Sequence, residues 1–188
     1  MEILIPIAAV LLIPLLYVVL QYNGLVTLRN HIAESWSNVD TELKRRYELI
    51  PNLVATVKGY AAHEREVLER VTELCARCLA NQGAVGDQAR DEVQLVDALR
   101  RLLVVVEHYP QLKADQHFLR LQAELTNTEN RIQAARRFYN GNVRDYRNKQ
   151  ESFPSSLVAN LFNFPPAEFF TVEPSVAEVP DLSSRFTT

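Results

Sequence analysis

The sequence predicts an all-α protein, with an antiparallel four-helix bundle preceded by an N-terminal transmembrane helix. Three observations support this prediction. An apolar stretch fills residues 3–20, apolar residues recur every seven positions through most of the following chain, and only 5 of 188 residues are glycine. A seven-residue repeat is typical of the packed face of a helix, and scarce glycine is atypical of turn-rich β folds.

Composition and charge exclude several classes of protein. The formal net charge is −3, so we expect no nucleic-acid partner. Two cysteines are too few for a disulfide framework. A chain of this length favours one domain over a multi-domain enzyme.

Residues 1–21 are predicted to form a membrane anchor. No residue from Ile3 to Leu20 is charged, and as a helix this stretch spans roughly 27 Å, just enough for a hydrocarbon core. The alternative, a cleaved signal peptide, requires a basic segment in front, whereas only Glu2 is charged there. Arg29 and further basic residues follow the span, which favours a single-pass protein of the inner (plasma) membrane with its bundle in the cytoplasm.

Residues 22–154 are predicted to form the bundle. Apolar side chains follow two rows at heptad spacing, one from Leu25 to Leu74 and the other from Trp36 to Cys78. Pro51 favours a helix break, which gives segments 21–50, 51–81, 87–108 and 115–151 of similar length. The rows keep their phase across Pro51, so a kinked continuous helix is the alternative. Asp87 and Asp115 are predicted to cap the last two helices.

Two charged residues interrupt the apolar rows. Arg46 and Glu64 stand where Leu or Val would be expected. A buried charge must be paired, and Glu129 and Arg136 on the last helix are candidate partners. The alternative is that these side chains reach solvent from the edge of the packed face.

The last helix and the segment after it provide candidate membrane contacts. The second half of the helix is rich in arginine and lysine, which suits an anionic leaflet. Residues 155–170 are apolar and are expected either to close the core as a strap or to touch the bilayer, while residues 171–188 are expected to be disordered. The candidate contact residues are Arg144, Arg147, Lys149, Phe162, Phe164, Phe169 and Phe170.

The sequence contains no pattern that predicts catalysis. Cys75 and Cys78 form a C-x-x-C pair, but it lies near the end of a helical pattern, so structural thiols are favoured over a redox site. His63 and Glu64 begin a sequence that fails the H-E-x-x-H zinc pattern. We therefore expect no cofactor, no metal and no catalytic residue.

Four segments closely resemble the LemA family of bacterial membrane proteins: Tyr22–Asn30, Lys44–Glu64, Thr128–Asn140 and Ser152–Pro154. The resemblance implies one N-terminal membrane helix, a four-helix cytoplasmic domain and no established enzymatic activity. Relatives in that family have been linked to envelope stress beside a membrane metalloprotease, and one branch to magnetosome membranes. Ten of the positions that match the family motifs are candidate register or interaction residues: Arg45, Arg46, Asn52, Lys58, His63, Glu64, Glu129, Arg136, Tyr139 and Asn140.

These observations favour a non-enzymatic scaffold or adaptor at the membrane. Its expected partners are the lipid bilayer and unidentified membrane or stress-response proteins, and the chain could form a homo-oligomer. A membrane-shaping or lipid-organising structural protein is the alternative, because the helix end is basic and the following segment is rich in phenylalanine.

Overall fold

The protein is all-α, as the sequence predicts. A computed structural model describes residues 4–172, with side chains described from residue 12 onward. Six helices and no strand occur in that range: α1 (Leu4–Tyr60), α2 (Arg65–Ala80), α3 (Val85–Val106), α4 (Pro110–Lys113), α5 (Gln116–Glu151) and α6 (Ser155–Leu161). Of the predicted disordered tail, only Thr171 and Val172 lie within the described residues.

The chain divides into two compact units. Within the described residues, unit 1 comprises residues 4–37 and 138–168, and unit 2 comprises residues 38–137 and 169–172. The two long helices, α1 and α5, contribute residues to both units.

Unit 2 is an antiparallel arrangement of four helical segments, from α1, α2, α3 and α5. Tyr60 donates a hydrogen bond to Asp115 across 2.9 Å, and Arg46 pairs with Glu129 across 3.0 Å. Because residue numbers rise along α1 as they fall along α5, these two segments run in opposite directions. The buried core takes its side chains from all four segments, including Val39, Leu43, Ile50, Leu53, Val57, Leu68, Val71, Leu74, Leu95, Leu99, Leu102, Leu121, Leu125 and Ile132.

The expected helix break at Pro51 is wrong, because α1 continues without interruption to Tyr60. Proline has no N–H, so it cannot bond the Tyr47 carbonyl four residues earlier. The Cys75 thiol of α2 donates to that carbonyl instead, with Sγ and O 3.7 Å apart. Leu53, beyond the proline, stays on the buried face. A neighbouring helix thus supplies the missing partner, and the chain reverses at residues 61–64 instead.

The predicted caps differ in outcome. Asp115 caps α5, since its Oδ1 accepts a hydrogen bond from the Phe118 N–H at 2.9 Å. Asp87 does not cap α3, which begins two residues earlier at Val85 with Ala84 at the N-cap position. Asp87 lies inside the first turn, where a carboxylate is favoured by the helix dipole.

Unit 1 contains the N-terminal part of α1, the C-terminal part of α5, and α6. Leu25, Tyr146, Val158 and Ala159 form its buried cluster, and Val18, Leu28, Ile32, Phe164 and Ala167 pack against that cluster. Leu12 and its apolar neighbours up to Leu20 are largely exposed, in a helix long and apolar enough to cross a membrane. The apolar stretch therefore continues directly into a packed helical unit.

Candidate functional site

A buried cluster of charged side chains joins three helices of unit 2. Arg46 of α1 is 2% exposed and forms ion pairs with Glu92 of α3 and Glu129 of α5. The Arg46 Nη1 atom lies 3.0 Å from Glu129 Oε2. Tyr47 donates its hydroxyl hydrogen to Glu92. Since a buried guanidinium must be paired, this cluster favours one alignment of α1 against α3 and α5.

The sequence indicated only part of this cluster. Arg46 and Glu129 were both candidates, and the structure brings them together. Glu92 was missed, although it lies three residues before Leu95 on the buried stripe of α3. Tyr47 was missed because it belongs to neither heptad row. Its pKa is raised well above the ordinary value of 10.0, because burial outweighs the opposing effect of the Arg46 charge.

The structure separates Glu64 from Arg136. Glu64 precedes α2 and is half-buried, and its carboxylate accepts a hydrogen bond from the Tyr109 hydroxyl at 3.4 Å. Arg136 of α5 donates to the Val172 carbonyl at 3.3 Å. Each therefore has a partner other than the one the sequence suggested.

The two thiols are buried in the core beside the charge cluster. Burial raises the pKa of Cys75, and it raises the pKa of Cys78 to about 11. The Arg46 charge lowers both values but only partly offsets burial. Such thiols are almost fully protonated at neutral pH, which does not suit a nucleophile or a metal ligand. The hydrogen bond from Cys75 to the Tyr47 carbonyl gives that thiol a structural role.

Four other candidates are exposed, namely Arg45, Asn52 and Lys58 on α1 and His63 in the turn after it, and we call these positions together the α1 outer surface. Arg45 is 3.8 Å from Glu42, an i,i+3 pair at the surface. Gly59 belongs to the same region, and a Cβ added to it would meet only open space. These side chains are available to a partner.

The remaining candidates anchor the segment after α6 to α5. Tyr139 donates to the Glu168 carbonyl at 2.8 Å, and Arg147 donates to the Ala167 carbonyl at 2.9 Å. Tyr146 likewise donates to the Pro165 carbonyl at 2.9 Å. Burial raises the pKa of Tyr139 to about 12. Asn140, also on α5, is half-buried. Residues 162–168 thus lie along α5 as a strap held by side-chain donors.

The candidate membrane contacts differ in exposure. Phe162 and Phe169 are partly exposed, and Arg144 is exposed. Phe164 is half-buried, packs against Tyr22 at 5.5 Å between ring centroids and lies under the Arg29 guanidinium. The expectation is wrong for Phe170, which is 1% exposed and belongs to the core of unit 2. Lys149 is half-buried, and its ammonium lies over Gly24 so closely that a Cβ there would overlap it.

These features define a class of protein: a chain that is all-helical over the described residues, whose N-terminal helix suits a membrane and whose core contains a cluster of paired charges. Within residues 4–172 no group of three His, Cys, Asp or Glu side chains is placed to hold a metal ion. The LemA family model matches residues 35–183, and the chain belongs to the LemA family.

The relatives of this chain include magnetosome proteins and a LemA protein from bacteria. Magnetosome protein MamQ 1 of Paramagnetospirillum magneticum is 25% identical over 90% of this chain and 74% of its own length. Magnetosome protein MamQ of Magnetospirillum gryphiswaldense is 23% identical over 83% of this chain and 66% of its own. Protein LemA of Metamycoplasma hominis is 27% identical over 75% of this chain and 66% of its own. Together with the apolar helix, these relatives support association with a membrane.

Proposed function

We propose that this protein is a non-enzymatic scaffold or adaptor, held at the membrane by the apolar stretch of α1, which binds membrane or stress-response proteins. The proposal rests on one observation: the segment Lys44–Glu64, which matches the family motif, contains both a buried charged side chain and exposed polar side chains. Arg46 faces the core and forms ion pairs with two buried carboxylates, whereas Arg45, Asn52 and Lys58 face solvent. The buried charge aligns the helices, and the α1 outer surface is left for a partner.

Four buried or half-buried groups that could perform chemistry already serve the fold. Glu64 accepts a hydrogen bond from Tyr109, and Cys75 satisfies a backbone carbonyl. Glu92 and Glu129 are both paired with Arg46. Side chains held in this way are poorly suited to bind or transform a small-molecule substrate. This supports a role in binding other proteins through the exposed surface.

Site-specific photo-crosslinking tests the proposal. A photoreactive amino acid replaces Asn52 or Lys58 in the full chain in its native membrane, and Arg101, exposed on α3, serves as the matched control. We expect defined adducts from the first two positions and none from the control. Equal labelling at all three positions, or only abundant background proteins, contradicts the proposed surface.

The proposal places unit 2 in the cytoplasm, on the inner membrane. Arg29 and Lys44 follow the apolar stretch, and basic residues are enriched on the cytoplasmic side of a span. Lys58→Cys with Cys75→Ala and Cys78→Ala gives one exposed thiol. A membrane-impermeant maleimide should label it only after cell lysis, and labelling of intact cells would reverse the orientation.

A second candidate is a membrane-shaping or lipid-organising structural protein. The partial exposure of Phe162 and Phe169 favours it, because exposed apolar rings are buried when a protein surface enters the acyl boundary of a bilayer. The full chain reconstituted at high density should then change the diameter of liposomes seen by electron microscopy. Diameters equal to those of protein-free liposomes exclude this role.

A further inference from the structure

The short helix α6 and the turn before it carry an exposed apolar row. Phe153, Leu157 and Leu161 are 81%, 62% and 71% exposed. Leu157 and Leu161 are four residues apart, so they lie on one side of the helix. Val158 and Ala159, turned roughly to the other side, belong to the buried cluster of unit 1. The helix is thus apolar on two sides, one of which is buried while the other has no protein partner among the described residues.

The position of α6 along α1 is fixed by contacts within unit 1. Val18, inside the apolar stretch, packs against the cluster to which Val158 belongs. Tyr22, just after the stretch, meets Phe162 at the end of α6 with 4.9 Å between ring centroids. With a rise of about 1.5 Å per residue, these two positions lie roughly 3 Å before and after Leu20.

For a span that ends at Leu20, this level is the boundary between hydrocarbon and headgroups. The interfacial layer on each side of the hydrocarbon core is roughly 5–8 Å thick, so the Tyr22 contact falls inside it and the Val18 contact lies at the edge of the hydrocarbon core. Tyr22 and Lys149 are at the same level, since the Lys149 ammonium lies over Gly24. Tyrosine and lysine are side chains that settle at the boundary between lipid and water.

We propose that α6 is an interfacial helix. Its residues Leu157 and Leu161, with Phe153 in the turn just before it, insert into the leaflet in which the C-terminal end of the α1 span lies. The ligand of this surface is the lipid bilayer. The inference rests on the membrane anchorage in the proposed function. It differs from the sequence-based candidates, since it assigns the contact to three residues absent from that set and excludes the buried Phe170.

The row is expected to insert without a strong need for anionic lipid. Arg144, Arg147 and Lys149 of α5 are opposed by Asp145 and Glu151 on the same stretch, so the local net charge is small. Burial of apolar side chains drives insertion of an interfacial helix, and charge adds to it. Bilayers of zwitterionic and of anionic lipid should therefore both accept the row.

Tryptophan quenching in reconstituted full-length protein tests this inference. Trp36, the single tryptophan, is changed to Phe. One tryptophan is then introduced at a time by Leu157→Trp or Leu161→Trp. The matched control is Leu79→Trp on α2, a leucine of similar exposure (58%) in unit 2. Leu16→Trp, within the span, reports the anchorage itself. The membranes contain lipids brominated at shallow or deep acyl positions.

The expected result is a blue-shifted emission at positions 157 and 161, with stronger quenching by shallow than by deep bromines. Position 79 should show neither effect and should be quenched by aqueous iodide. If position 16 is quenched by lipid but 157 and 161 respond only to iodide, the interfacial helix is refuted and the anchorage stands. Protection of 157 and 161 from both quenchers, as a second copy would cause, also refutes it. If position 16 shows no quenching by the lipid bromines, both the anchorage and this inference are overturned.

Discussion

Removing the Arg46 guanidinium should strongly destabilise the protein. Arg46 is the single positive charge between Glu92 and Glu129, and it is 2% exposed. In Arg46→Met, two carboxylates stay in the core without their partner. Breaking a buried ion pair from one side costs about 3–5 kcal/mol. We expect a loss of that size in the free energy of unfolding.

The neighbouring arginine is a matched control for this substitution. Arg45 is exposed and only 3.8 Å from Glu42, an i,i+3 surface pair. Such pairs contribute about 0.5 kcal/mol or less, so Arg45→Met should leave stability nearly unchanged. The two variants make the same chemical change at adjacent positions, so their difference isolates the effect of burial.

Urea unfolding of the detergent-solubilised full chain, followed by circular dichroism, measures the effect. For a slope of about 2 kcal/mol per molar urea, the Arg46→Met midpoint should fall by roughly 2 M. Adding Glu92→Met, Glu129→Met and Tyr47→Phe removes the unpaired groups together. Stability should then return to within about 1 kcal/mol of the natural protein, or exceed it.

The reasoning is refuted if the free energy of unfolding of Arg46→Met lies within about 1 kcal/mol of that of the natural protein or of Arg45→Met. The alignment role is tested separately in the variant lacking all four polar groups. If its helices keep one defined packing, seen as sharp methyl signals in NMR spectra, the cluster is not required for register.

Three further predictions concern local contacts. In a double-mutant cycle, Cys75→Ala should lower the free energy of unfolding less in a Pro51→Ala background than alone, because residue 51 then donates its own N–H to the Tyr47 carbonyl. Equal losses in the two backgrounds contradict the assigned role of the thiol. Tyr146→Phe should lower stability by about 0.5–1.5 kcal/mol and speed hydrogen exchange or proteolysis of residues 162–168, whereas unchanged protection of that segment speaks against the strap. The Phe118 N–H and the Tyr60 hydroxyl, which both donate to Asp115, lower its pKa below the ordinary 3.8. The ionised Asp115 carboxylate therefore contributes fully to the free energy of unfolding above pH 3.8. This contribution is lost as the pH falls through the lowered pKa of the folded protein. The difference in melting temperature between Asp115→Ala and the natural protein should vanish at acid pH, and a difference that persists there refutes the linkage.

Much of this protein is determined by local sequence. The heptad rows predict the all-α class and most of the buried face, because the helical period places those side chains on one side whatever they pack against. The apolar stretch before Leu20 predicts a span from length and composition. The cap at Asp115 also follows locally, since its carboxylate bonds an N–H only three residues away.

The remaining features depend on contacts between residues far apart in the chain. Pro51 breaks a helix by propensity, and only the Cys75 thiol together with burial of Leu53 explains why α1 continues. The sequence around Glu92 does not distinguish it from a surface glutamate. Only the packing of α3 against α1 places its carboxylate beside Arg46. The same holds for α6. Sequence composition shows that the segment is apolar, but only packing against Tyr22 and Val18 decides which of its side chains are covered and which are exposed.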